Sequence, residues 1–116
     1  MSQEINLSAV PLPTQPDFAA INEAALSVLD LLLARWLPDG ETQGREYVAL
    51  NPRRVDRNLG SFKINLETGR WADFATGDRG GDPVSLAAYL FQLSQSEAAR
   101  RLATMLGLPS SQEGGR

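Results

Sequence analysis

Between residues 53 and 79 the chain carries Arg53, Arg54, Arg57, Lys63, Arg70 and Arg79, with the aromatics Trp71 and Phe74 among them. Cationic groups at that density neutralise phosphates, and a ring beside them can stack on an unpaired base, which together is the chemistry of a single-strand surface. Asparagine at 65 adds a neutral hydrogen-bonding group to the set. The same stretch holds Asp73, Asp78 and Asp82, oxygen ligands of the kind a hard divalent cation requires. Asp82 is better explained as a helix cap, since Pro83 follows it, and Asp73 is expected to be tied to a neighbouring arginine. No acid-x-acid pair occurs among these residues, so catalysis is not expected.

With neither cysteine nor histidine in 116 residues, disulfides, thiolate or imidazole metal sites, and Ser-His or Cys-His catalysis are excluded within this chain. No cofactor is expected. The net charge of −3 argues against a generally basic protein, but its distribution is uneven. Residues 1–44 hold six acids and one arginine, whereas residues 45–82 hold seven bases against six acids. The cationic footprint is therefore local and is backed by an acidic helix.

Two strands and a glycine-rich turn must position these groups. GSFKIN alternates apolar and polar, the period of a half-buried strand, and RWADF can pair with it across LETG, whose Gly69 closes the turn. Placing Asn65 opposite Arg70 puts Phe62, Ile64, Trp71 and Asp73 on one face and Lys63, Asn65, Arg70, Ala72 and Phe74 on the other. A slip of one residue would exchange the faces. ATGDRGGDP, with Gly77, Gly80 and Gly81, is read as a structural turn that ends at the Asp82 cap. A phosphate-cradling loop is disfavoured there, because Asp82 would stand where the anion should go and no Gly-Lys-Ser/Thr follows.

The remaining chain supplies helices. From Asp17 a single long helix is expected up to Pro38, with Ile21, Ala25, Val28, Leu29, Leu32, Leu33 and Trp36 on an arc wider than one core requires. Burial on two sides within its own domain explains that width; the alternative is a docking face for a second copy, giving a homodimer, or for another protein. EYVAL reads as a strand, and NPRRVDRNLG as an arginine-dense loop. After Pro83 comes a short helix, and Ser94 to Glu97 forms a capping box that starts another. The fold expected is α+β: a small antiparallel sheet, one long amphipathic helix before it and two short helices after it. Residues 1–16 form a flexible arm, 17–108 the domain and 109–116 a polar tail. Neither a signal peptide nor a membrane span is recognised, so the cytoplasm is the expected location.

The ordered set Ser61, Phe62, Gly69, Trp71, Phe74, Gly77, Gly80, Gly81, Asp82, Leu93, Ser94, Glu97, Ala98, Leu102 and Ala103 resembles the zinc-binding domain of DnaG-type bacterial primases over roughly residues 50–108. It is closer to the cysteine-free form at the N-terminus of phage and plasmid primase-helicases, which similarly carry RWLP, NP-x-R, GSF, W-A-D-F and GGD, and that likeness reaches back to about Asp17. The resemblance implies a zinc-ribbon-like sheet in which the family's metal ligands fall on Phe74 and Gly77, and around Asn51 or Pro52 and Arg54. None of these is a soft or imidazole ligand. Packing is expected to replace the metal, with Phe74 filling part of the vacated volume and Asn51 tying the loop by hydrogen bonds. The resemblance further implies a non-catalytic module that binds single-stranded template DNA in replication, beside a primase catalytic or helicase domain. The competing expectation is a docking or regulatory module with no nucleic-acid affinity.

Overall fold

A computed structural model describes residues 15–108. The expected arm at 1–16, apart from Gln15 and Pro16, and the tail at 109–116 lie outside the described residues. The fold is α+β. Two helices, α1 (Phe18–Ser27) and α2 (Leu29–Trp36), precede five strands: β1 (Glu41–Gln43), β2 (Glu46–Ala49), β3 (Phe62–Asn65), β4 (Trp71–Asp73) and β5 (Arg79–Gly80). Helices α3 (Pro83–Phe91) and α4 (Gln95–Met105) follow. The strands form one antiparallel meander in chain order.

The central hairpin has the register that the alternation predicts. Phe62 pairs with Asp73, Lys63 with Ala72 and Ile64 with Trp71. The Asn65 N–H donates to the Arg70 carbonyl at 2.7 Å, and Gly69 turns the chain at φ 78°. Phe62, Ile64, Trp71 and Asp73 are all buried on one face, as period-two alternation requires. Two strands escape sequence reasoning. β1 is polar and wholly exposed, and β5 is two residues inside the glycine-rich turn, recruited by the Asp73 N–H to Asp78 carbonyl bond of 2.8 Å.

The expected long helix is two helices. At Val28 the backbone leaves helical geometry (φ −130°, ψ 27°), after Ser27 has turned its hydroxyl back to the Ala24 carbonyl at 2.6 Å. A β-branched residue following a back-bonded serine is a weak point for a helix. On one side of the break, Ile21 and Ala25 pack with Val84, Ala87, Ala99 and Leu102 of α3 and α4. On the other, Leu29 and Leu33 pack with Phe62, Ile64 and Trp71 of the sheet. Leu32 returns to the helical cluster, so the broad apolar arc is covered on both sides within the chain. Leu31 lies outside the arc and is exposed.

Helix α3 begins where the Asp82-Pro83 pair predicts. The Asp82 carboxylate accepts from the Ser85 N–H at 2.8 Å, and the Ser85 hydroxyl accepts from the Asp82 N–H in return. A second free N–H, of Val84, is taken by the Asn22 side chain at 2.9 Å, a contact across 62 positions that no local pattern announces. Ser94 caps α4 through the Glu97 N–H, while the Glu97 carboxylate pairs with Arg101 one turn on.

Of the glycines expected to be structural, Gly77 adopts φ 87° and Gly80 is fixed by crowding, whereas Gly81 faces open space. A Cβ on Gly80 would lie 2.4 Å from both Trp71 Nε1 and Ser85 Oγ, the two atoms joined by a 2.9 Å hydrogen bond. Gly80→Ala should therefore lower unfolding free energy by about 1–3 kcal/mol, the usual range for overpacking. Gly81→Ala should stay within about 0.5 kcal/mol of the parent, as for an uncrowded surface change. Urea denaturation of the two variants side by side checks the contrast.

Candidate nucleic-acid interface

The site is built around a carboxylate that alternation forces inward. Asp73 ends β4 on the same face as Trp71 and Phe62 and is fully buried. Such a charge requires partners, and the 51–61 loop supplies them. Arg54 grips it bidentately, Nε to Oδ2 at 2.6 Å and Nη2 to Oδ1 at 3.2 Å. Asn51, also buried, donates Nδ2 to Oδ2 at 2.8 Å, and the Ala75 N–H donates to Oδ1 at 2.9 Å. Burial by itself would raise the Asp73 pKa, but the bonds from Arg54, Asn51 and Ala75 outweigh it and hold the carboxyl well below the usual range.

The network extends on both sides. Arg54 Nη2 also donates to Ser61 Oγ at 2.7 Å and lies 3.3 Å from Asp56 Oδ2, which accepts the Asn51 N–H. Asn51 Nδ2 reaches the Tyr89 hydroxyl on α3, and that hydroxyl donates to Asp78 at 2.7 Å. Asn51 thus ties the loop to sheet and helix at once. Asp73, Asp78 and Asp82 each have a separate structural partner, and among the described residues no group of three or more His, Cys, Asp or Glu is placed to hold a metal ion.

Four of the side chains expected to meet nucleic acid are engaged by other groups of the protein. Arg54 is bound to Asp73. Arg53 sits 4.9 Å over the Tyr89 ring and donates to the Tyr89 carbonyl at 2.7 Å. Asn65 closes the β3–β4 turn, its Oδ1 accepting from the N–H groups of Glu67 and Thr68. Trp71 is 5 % exposed, packed at 4.6 Å against Tyr89, with its indole N–H on Ser85.

The others face outward. Lys63, Ala72 and Arg79 pair across β3, β4 and β5 on the face away from the core, with Arg70 at the hairpin end. Arg57, Arg70 and Arg79 are exposed and have no ion-pair partner among the described residues. This face is of mixed charge, because β2 brings Glu46 to 3.9 Å from the Lys63 ammonium. The cationic part lies toward β4, β5 and the 51–61 loop.

Phe74 corrects the sequence reading most clearly. Expected to fill part of the volume of an absent metal, it is 71 % exposed. Asp73 and Phe74 are adjacent in an extended segment, so if one side chain points inward the other points out, and the polar knot of Asn51, Arg54 and Asp73 occupies the interior instead. Phe74 lines an open groove of about 650 Å³ with the loop from Arg54 to Ser61.

Separately, α2, α3 and α4 enclose a smaller apolar groove of about 210 Å³, where Trp36 and Phe91 meet edge to face at 5.7 Å beside Leu93 and Met105. No helix among the described residues is long and apolar enough to cross a membrane.

Because the Asp73 pKa is depressed in the folded state, its stabilising contribution is complete at neutral pH. That contribution begins to fall as pH drops toward the unfolded value of about 4, and vanishes only below the folded one. Asp73→Asn removes the nearer of the two carboxylates that face Arg54, leaving Asp56 at 3.3 Å, and should cost about 1–3 kcal/mol at pH 7. The variant should also show a flatter loss of stability between pH 5 and pH 2, measured as the urea midpoint at each pH.

The chain matches no protein-family model and no curated protein.

Proposed function

We propose that this chain is a non-catalytic recognition module that holds single-stranded template DNA in the cytoplasm for a primase catalytic or helicase domain. The observation that carries the reading is the division among its cations: Arg53 and Arg54 are bonded to Tyr89 and Asp73 and stiffen the loop, while the exposed Arg57, Arg70 and Arg79 around the hairpin have no ion-pair partner among the described residues. Cations held on a braced scaffold can follow a phosphodiester backbone without a large ordering cost. The resemblance to the cysteine-free primase-helicase domain supports the same role. It sets the Asn51–Arg54–Asp73 knot beside the positions where that family's relatives carry metal ligands. Catalysis is not proposed, because each aspartate of the region already has a structural partner.

A docking module is the second reading, favoured by the apolar groove at Trp36, Phe91 and Met105 and by the exposed Leu31. The two separate in one measurement. Strand binding predicts affinity for an oligonucleotide that falls with salt, with the slope of log K on log salt reduced by about 0.7 for each phosphate that is no longer neutralised. Arg57→Ala, Arg70→Ala and Arg79→Ala should each reduce the slope by roughly that amount without changing the fold. Absence of strand affinity, together with self-association abolished by Leu31→Glu or Phe91→Glu, would decide for docking.

A further inference from the structure

We infer that the groove between the 54–61 loop and Phe74 seats one unpaired nucleobase, stacked on the Phe74 ring with a neighbouring phosphate at Arg57. The inference rests on the strand-binding reading above and names what one part of that surface takes. Three apolar side chains line the groove while remaining open to solvent: Val55 at 80 %, Leu59 at 41 % and Phe74 at 71 % exposure. Single exposed apolar residues are ordinary, but several converging in one depression mark a site that something covers.

The chemistry of the groove selects the occupant. Val55, Leu59 and Phe74 give it an apolar and aromatic lining beside two cations, the exposed Arg57 and the Arg54 that is bound to Asp73. Asp56, the one acid among its lining residues, is already held by Arg54 at 3.3 Å and by the Asn51 N–H at 2.8 Å. A flat aromatic group joined to an anion fits that combination, and a nucleotide within a strand is such a group. A base inside a duplex has both faces covered by its neighbours, so the site discriminates for an unpaired one.

The platform is also fixed before any ligand arrives. The Phe74 N–H donates to the Ser61 carbonyl at 2.8 Å. The Asp73 carbonyl accepts from Gly77 at 2.8 Å, and the Asp73 side chain accepts from Ala75. The backbone under the ring is therefore held from both sides. Arg54, bonded to Ser61 Oγ and Asp73, pins both ends of the facing loop. The backbone that carries the ring therefore needs no ordering when a base stacks.

The test uses the whole 116-residue protein and fluorescently labelled oligonucleotides about twelve nucleotides long, within the span of a single-strand site, followed by anisotropy across a salt series. Phe74→Ala and Phe74→Leu should weaken binding about 5- to 100-fold, the span of a lost base stack, while Phe74→Trp retains it. The salt slope should stay unchanged in all three. An oligonucleotide of abasic sites should bind parent and Phe74→Ala equally, and duplex should bind the parent no better than it binds Phe74→Ala. Circular dichroism confirms that the variants fold. If the parent binds strands with the expected salt dependence but Phe74→Leu binds as well as the parent, the stacking site is wrong and the phosphate surface stands. If no strand binds at any salt, both fall. If Phe74→Leu alters only association between protein chains, the groove is a protein contact and the inference is overturned.

Discussion

A carboxylate with no solvent exposure terminates β4, and the loop geometry around it follows from the need to satisfy that charge. Each oxygen of Asp73 has two donors, drawn from Asn51, both nitrogens of the Arg54 fork and the Ala75 N–H. Taking an ion from water is expensive, and bidentate, charge-assisted bonds are the arrangement that best offsets it. An apolar plug would fill the same volume, but it would not fix direction. The knot specifies where the 51–61 loop crosses the sheet and which of its arginines turn inward.

The same constraint reaches α3 through Tyr89. That side chain packs on Trp71, accepts from Asn51, donates to Asp78 and lies under Arg53. A helix, a loop, a strand and the glycine-rich turn thus meet at one phenol. Burial raises its pKa above the ordinary tyrosine value.

The hairpin was legible because its signals are local: alternation fixed which side chains share a face, Gly69 marked the turn, and Asp82-Pro83 marked the start of α3. The helix break at Val28 was not, since the apolar arc continues through it, and the Val28 backbone angles and the packing of Ile21 and Leu29 into different clusters are what reveal it. The roles of the arginines were equally hidden. Arg54 and Arg57 look alike in sequence, and what separates them is a carboxylate 19 positions beyond Arg54. Phe74 drew two incompatible expectations. Strand alternation placed it outward and analogy with a metal-bearing relative placed it inward; the stereochemistry of the extended chain prevails.

Helices α2 and α3 each divide their side chains between the two apolar clusters. Leu32 serves the helical one while Leu29 and Leu33 serve the sheet, and Val84, Ala87 and Ala88 are set against Leu86 and Leu90 in the same way. The molecule consequently has no cleavage plane between a helical half and a sheet half. Melting either layer strips the other of its cover, so the whole described body should come apart in a single concerted event, with no half-folded remnant left to clump with its neighbours.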